Sequence, residues 1–378
     1  MKRHVFLIPG FFGFANLGDF AYWGPVRHKL LELLNQAGIP AEIHTVKSLP
    51  TASLRARTRC LVEAIAQVRP RANTAIHLIG HSTGGLDARL LLTPAVDLQT
   101  KINVEAIASK VCSSVSVSTP HRGAPIASFF TGMLGLKLLR LLSVVTIAAL
   151  RGAQLPLSAW VKIAGIFALP TSFGDATGSL ASQLYEQLLV DFDADRRAEV
   201  EELLGSVQSD QSLLTQLTVE SMDVFNAAAG DRDSVAYGSV LTLARPPGLD
   251  TSLEIGFDLI DQAQQAFYYS LGRLATGHEF PVPDAQFRKQ LRTRFKKVPD
   301  SDANDGIVPT LSQPWGQCIA VAQADHLDII GHHGGARGDP EKRFDWLTTH
   351  SEFRTPQFDE VWGKVVDFIA QSESMARK

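Results

Sequence analysis

The chain has 378 residues, 45% of them hydrophobic, enough to bury a sizeable core as one large domain or two smaller ones. Its 36 basic and 39 acidic residues leave a net charge of −3. No basic stripe interleaved with aromatics runs along it, which argues against nucleic acid as a partner. Cys60, Cys112 and Cys318 are odd in number, far apart and without a C-x-x-C pair. They specify neither a disulfide framework nor a zinc site and are expected as reduced core residues.

Met1 to His4 leads directly into Val5-Phe6-Leu7-Ile8, an apolar run too short for a secretory leader and followed by no cleavage site, so a cytoplasmic protein is expected. The run stops at Pro9-Gly10, as a buried parallel strand does on entering a loop. The loop itself, Gly10-Phe11-Phe12-Gly13-Phe14, has a bland reading as a hydrophobic turn packed on the core. From Val26 to Gln36 apolar residues recur at helical spacing until Gly38-Ile39-Pro40 ends them. Ala41 to Val46 alternates like a strand, and Leu54 to Val68 reads as helix before Pro70.

The next segment, Ala75 to Arg89, drives an apolar run into Gly80-His81-Ser82-Thr83-Gly84-Gly85 and out into a helical pattern. This G-x-S-x-G, with a strand before it and a helix after it, reads as a sharp turn that lifts the Ser82 hydroxyl above the sheet edge as a nucleophile. Such a turn tolerates only tiny neighbours, hence Gly80 and Gly84, with Gly85 relieving contact at the helix start. The backbone N–H of Thr83 lies at the positive end of the new helix, where an oxyanion is stabilised. The alternative is a glycine-rich turn with a helix-capping serine. The order β-α-β-α-β up to Ser82 implies an α/β fold, a mostly parallel central sheet flanked by helices.

Val111 to Val117 is a further strand. His121 follows its end but lacks a carboxylate nearby in sequence, so it is read as fixing the loop rather than as catalytic. Composition then shifts: Phe129 to Leu169 is rich in Leu, Val and Ile, yet Lys137, Arg140, Arg151 and Gly or Pro breaks divide it, unlike a membrane span. It reads as two or three helices of a cap or lid inserted into one domain spanning residues 1–378. The insertion covers about 127–230, and a second cap or flanking segment falls at 245–295. Such a cap would hide an acyl-binding cleft and offer an apolar surface to a lipid interface, an ordinary buried helical subdomain being the alternative. Asp191 to Glu202 reads as a solvated helix, Leu213 to Phe225 and Leu253 to Leu274 as helices, and Val235 to Leu243 as a core strand. No internal repeat appears.

Serine chemistry needs an imidazole to take the hydroxyl proton and a carboxylate to orient it. The C-terminal part supplies both. Asp302-Ala303-Asn304-Asp305-Gly306 puts a carboxylate in a turn, with Asp305 preferred and Asp300 and Asp302 as alternatives. The strand-like Cys318 to Ala322 leads to Asp325-His326-Leu327-Asp328, placing His326 just past a strand. His332 and His333 compete with it and hint at a metal, but adjacent histidines point differently and no partner has ligand spacing. The order Ser82, Asp305, His326 is that of the α/β-hydrolases.

With these residues in place the sequence resembles the bacterial true lipases, the triacylglycerol lipase group of the α/β-hydrolases. The likeness runs through Leu7 to Phe14, Tyr22-Trp23, Gly80 to Gly85, Thr119 to Gly123, Leu217 to Asn226, Asn304 to Val308 and His326 to Asp328. It implies an α/β-hydrolase fold with an inserted cap, a triad of Ser82, Asp305 and His326, and an oxyanion hole from the backbone N–H groups of Phe11 and Thr83. It departs in three places. Pro9 stands where the family's first loop has a histidine. Asp328 matches one ligand of the calcium ion the family often holds, but His332 falls where a side-chain amide is expected. Leu311 stands where a disulfide cysteine is expected, in keeping with a reducing compartment.

The function expected is hydrolysis of hydrophobic carboxylic esters without an organic cofactor. Alternatives are a polyester depolymerase or acyltransferase using the same three groups, or a non-catalytic protein of this fold that binds lipid or protein through the cap.

Overall fold

The computed structural model describes residues 2–11, 22–71, 73–132, 157–168, 210–245, 258–281, 283–334 and 351–375, with isolated positions at 141, 182–183, 205 and 349. Six strands, β1 (Lys2–Ile8), β2 (Glu42–Thr45), β3 (Thr74–His81), β4 (Val111–Val117), β5 (Ala236–Leu243) and β6 (Gln317–Gln323), form one sheet ordered β2-β1-β3-β4-β5-β6. Every neighbouring pair is parallel. All eight residues of β3 are buried, because helices cover both faces of a parallel sheet.

Alternation along β1 sorts its side chains between the two faces. Val5 and Leu7 join the core under the helices Gly24–Gln36 and Thr355–Met375, while Phe6 and Ile8 join the one under Leu54–Gln67 and Gly84–Leu92. The helix Leu54–Gln67 starts at Ser53, whose side chain caps Ala56 N–H.

Two helices of more than ten residues are not among the expected elements. Thr355–Met375 repeats its apolar side chains at helical spacing, with Phe358, Val361, Trp362, Val365, Val366 and Ile369 all buried. Its far end is tied to the sheet by charge. Glu373 accepts from Arg3 Nε at 2.6 Å and Nη2 at 3.1 Å and meets His77 Nε2 at 3.3 Å. Burial raises the Glu373 carboxyl, but the bonds from His77 and Arg3 outweigh it and bring it to about 2. The other helix, Ala285–Phe295, falls inside the stretch read as a second cap or flank. It buries Phe287 and Leu291 against Leu241, Leu311 and Cys318 at the β5–β6 side of the sheet, with Phe295 packed on the same cluster.

Two helices from the expected cap segments pack on each other. Leu157–Ala168 meets Leu259–Leu274 through Trp160 and Phe167 around Phe267, with ring centroids 6.2 Å and 5.0 Å apart. The remainder of 127–230 read as cap lies largely outside the described residues, including 133–140, 142–156, 169–181 and 184–204, as does 246–257. Among the described residues no helix is long and apolar enough to cross a membrane. The three cysteines are free, Cys318 buried and Cys60 and Cys112 half-buried.

Strand order locates the crevice. From β1 the chain goes to β2 on one side and, by way of β2, to β3 on the other, so a gap opens beyond the carboxyl ends of β1 and β3. Gly10 and Ser82 stand at those two ends.

Candidate active site

Ser82 occupies the left-handed region, φ +54°, a conformation that costs a non-glycine residue about 1–2 kcal/mol. The surroundings hold it there. Its N–H donates to Val117 O at 2.8 Å, and its carbonyl accepts from Gly85 N–H at 3.2 Å as the helix Gly84–Leu92 begins. A Cβ on Gly80 would run into the Gly84 backbone, one on Gly84 into Ile8 O, and one on Gly85 into the Thr119 side chain. At Gly10 an added Cβ would lie 3.0 Å from Ser82 Oγ, so the loop carrying Phe11 passes directly over the serine. Thr83 immediately precedes the helix, and Phe11 is buried in the largest core cluster among the described residues.

Among Asp300, Asp302 and Asp305, the turn buries Asp305 and leaves the other two exposed. Asp305 Oδ1 accepts the N–H groups of Ile307 (3.1 Å) and Val308 (2.8 Å), and Oδ2 accepts Thr242 Oγ1–H (2.7 Å). Gly306, φ +95°, makes this tight turn. The same Oδ2 lies 2.9 Å from His326 Nδ1, and His326 N–H donates to Asp305 O at 3.0 Å. A carboxylate only accepts, so Nδ1 carries the proton of this bond. Nε2 is buried and has no hydrogen-bond partner among the described residues. A ring nitrogen with no partner can accept a proton from a hydroxyl brought within reach.

His326 is joined to the serine's turn through a second imidazole that the sequence reading did not single out. His81 Nε2 lies 2.8 Å from His326 O, Tyr22 Oη lies 2.6 Å from His81 Nδ1, and Gly10 N–H donates to Tyr22 Oη at 3.2 Å. The carbonyl fixes the tautomer: Nε2–H donates to it, Nδ1 accepts from the tyrosine hydroxyl, and that hydroxyl accepts from Gly10. Burial holds His81 well below the usual imidazole range, assisted by the nearby His326 ring, so it stays neutral. Tyr22→Phe removes the link and leaves Gly10 N–H and His81 Nδ1 buried without a partner. It is expected to lower the unfolding free energy by about 1–3 kcal/mol, read from the urea midpoint; an unchanged midpoint would show the hydroxyl to be dispensable.

A second support went unread in the sequence. Arg57, on the helix Leu54–Gln67, donates to both carboxylate oxygens of Asp87 (2.7–3.1 Å), to Pro9 O at 2.9 Å and to Leu49 O at 2.6 Å. Asp87 lies in the first turn after Ser82, and Pro9 stands in the position of the resembling family's loop histidine. Arg57 thus anchors the helix that follows Ser82 and the segment leading to Phe11 to one guanidinium. Burial pushes the Asp87 carboxyl up, opposed by Arg57.

His121 acts on its loop. It is fully buried, with Nε2 2.9 Å from Ser116 Oγ, Nδ1 3.3 Å from Arg89 Nη1, and its carbonyl accepting from Asn226 Nδ2 at 2.8 Å. His332 and His333 diverge: His332 Nε2 donates to Tyr22 O at 3.1 Å, while the His333 ring packs on Phe353 and Phe358. Calcium takes six to eight oxygens, and the described surroundings of Asp328 do not fit that demand. Asp328 Oδ2 accepts from Asp325 N–H (3.1 Å) and Ser351 Oγ (2.5 Å), and the neighbouring Asp325 spends its oxygens on Leu327, Asp328 and Thr349. His332 offers a donating nitrogen in place of an amide oxygen.

The parallel sheet, its strand order and the turn at its switch point define an α/β-hydrolase fold. Solved structures similar over nearly the whole chain include lipase 1 from Pelosinus fermentans (16% identity, 96% of this chain and 98% of that one, TM-score 0.52). Staphylococcus hyicus lipase is alike to a similar degree (16%, 99% and 96%, 0.51), as is EstA from Clostridium botulinum (18%, 98% and 87%, 0.51). At these identities the likeness is one of fold. No family model matches the sequence, and no curated protein matches it by sequence.

Proposed function

We propose that this protein is a serine carboxylic-ester hydrolase acting on hydrophobic acyl esters. The observation that carries the reading is the His326 Nδ1 to Asp305 Oδ2 contact of 2.9 Å with Nε2 left unpartnered, in a fold that holds Ser82 on a strained turn at the switch point. In this reading Ser82 Oγ attacks the ester carbonyl as His326 Nε2 takes its proton. The tetrahedral oxyanion is received by the N–H groups of Phe11 and Thr83. His326 then protonates the leaving alkoxide, the alcohol departs, and water activated by the same imidazole cleaves the acyl-enzyme. Asp305 keeps the ring in the required tautomer and stabilises its charged form. These three side chains supply the proton and bond changes by themselves, so the reaction as written needs no organic cofactor and no metal.

The apolar cap is the reason for proposing a hydrophobic acyl chain. Its described helix Leu157–Ala168 is predominantly apolar and leaves Val161 55% exposed, an apolar side chain available to a substrate or a lipid interface. The test is hydrolysis of p-nitrophenyl esters from short to long acyl chains, alongside fluorophosphonate labelling of the wild type. Labelling at Ser82 with turnover that persists on long chains is the expected result, and a collapse beyond short chains would make it an esterase with a restricted cleft. A folded protein that neither labels nor turns over any ester would sink the reading in favour of a binding role for the cap. Labelling without hydrolysis would direct attention to polymer substrates or alcohol acceptors.

A further inference from the structure

On the lower rim of the sheet three ligand-bearing side chains converge that the proposed chemistry does not use. His4 comes from β1, Glu42 and His44 from the edge strand β2. The parallel register sets His4 beside Glu42 and Phe6 beside His44, and residues two apart on a strand share a face, so all three project to the same side. His4 Nδ1 lies 2.8 Å from His44 Nε2 and 3.5 Å from Glu42 Oε2, and His44 Nε2 lies 4.0 Å from the same oxygen. A circle through three atoms so spaced has a radius of about 2 Å, which is the length of a zinc–nitrogen or zinc–carboxylate bond.

We infer that His4, Glu42 and His44 form a binding site for one divalent transition-metal ion of the zinc type, held by His4 Nδ1, His44 Nε2 and Glu42 Oε2 with solvent completing the coordination. Among the described residues this is the one group of three His, Cys, Asp or Glu side chains whose ligand atoms gather closely enough for a metal. The surroundings suit it. Lys2 Nζ occupies Glu42 Oε1 at 3.0 Å, orienting the other oxygen toward the two rings, and Phe6 stacks on His44 at 4.8 Å and fixes its plane. Burial keeps both histidines below the usual imidazole range despite Glu42, so they are neutral near pH 7 and present lone pairs. Without metal one proton bridges His4 Nδ1 and His44 Nε2; binding moves that proton to the other nitrogen of its own ring, so each imidazole stays neutral and turns a lone pair to the metal.

The site stands apart from the crevice. His4 pairs with Ile76, six residues before Ser82 along a strand that rises about 3.3 Å per residue, a separation of about 20 Å. Its consequence is structural: β2 is a four-residue edge strand paired only with β1, and a shared metal fastens it there.

The test is calorimetric titration of tag-free protein with zinc chloride in two buffers of different ionisation enthalpy, with thermal melts alongside. Wild type is expected to take up one equivalent, with the same binding enthalpy in both buffers because two neutral imidazoles and a carboxylate release no net proton, and to show a higher Tm. Glu42→Gln and His44→Gln alter partly exposed side chains and leave the fold in place; each is expected to weaken binding by at least about tenfold and remove the Tm gain. Absence of zinc uptake by the wild type, or wild-type affinity in both variants, would overturn the assignment.

Discussion

Ser82→Ala is expected to lower kcat/KM for a p-nitrophenyl ester by about 10⁴- to 10⁶-fold, the loss seen when a serine nucleophile is removed from a unit that works as three. The backbone should not register the change. Alanine at φ +54° carries the same strain as serine, the anchoring bond comes from the Ser82 N–H rather than its side chain, and the glycines around the turn are untouched. The melting temperature is therefore expected to stay within about 1–2 °C of wild type, the shift that roughly 1 kcal/mol produces in a chain of 378 residues. Asp305→Asn should be the companion case. The imidazole would keep a neighbour but lose the acceptor that holds the proton on Nδ1, and activity should fall about 10⁴-fold. A Ser82→Ala protein that is folded and retains more than a hundredth of wild-type turnover, taking that as roughly the limit a lost nucleophile permits, would refute the mechanism.

Arg57→Ala should have the largest effect on stability. The guanidinium and the Asp87 carboxylate are both buried and bonded to each other, and removing one partner of such a pair costs about 3–5 kcal/mol because the other charge is left without compensation. Three backbone carbonyls, at Leu49, Pro50 and Pro9, lose their donor as well. Urea denaturation of Arg57→Ala, Asp87→Ala and the double variant forms a cycle: the double loss should be well below the sum of the single ones. A single-variant loss under about 1 kcal/mol, the value of an exposed pair, would show that the contact contributes no more than a surface ion pair. Because Pro9 adjoins the Phe11 loop, ester turnover measured below the unfolding transition should fall in Arg57→Ala as well.

What the chain determines locally was open to reading before any coordinates. Apolar runs such as Val111 to Val117 have little alternative to becoming buried strands, and the packing of Gly80, Gly84 and Gly85 around Ser82 follows from sterics within a few residues. The fold class and the position of the serine turn were legible for that reason. Among the aspartates that share turn chemistry the sequence favoured Asp305 over Asp300 and Asp302, and the packed structure buries Asp305 2.9 Å from the His326 imidazole while leaving the other two exposed. The link from Tyr22 through His81 to His326, the Arg57–Asp87 pair and the group His4, Glu42 and His44 were not legible. Each joins segments tens to hundreds of residues apart, and hydrogen bonds and ligand geometry act over about 3 Å. Hydrophobic periodicity says which face a side chain takes; strand order and register decide which distant side chain it finds there.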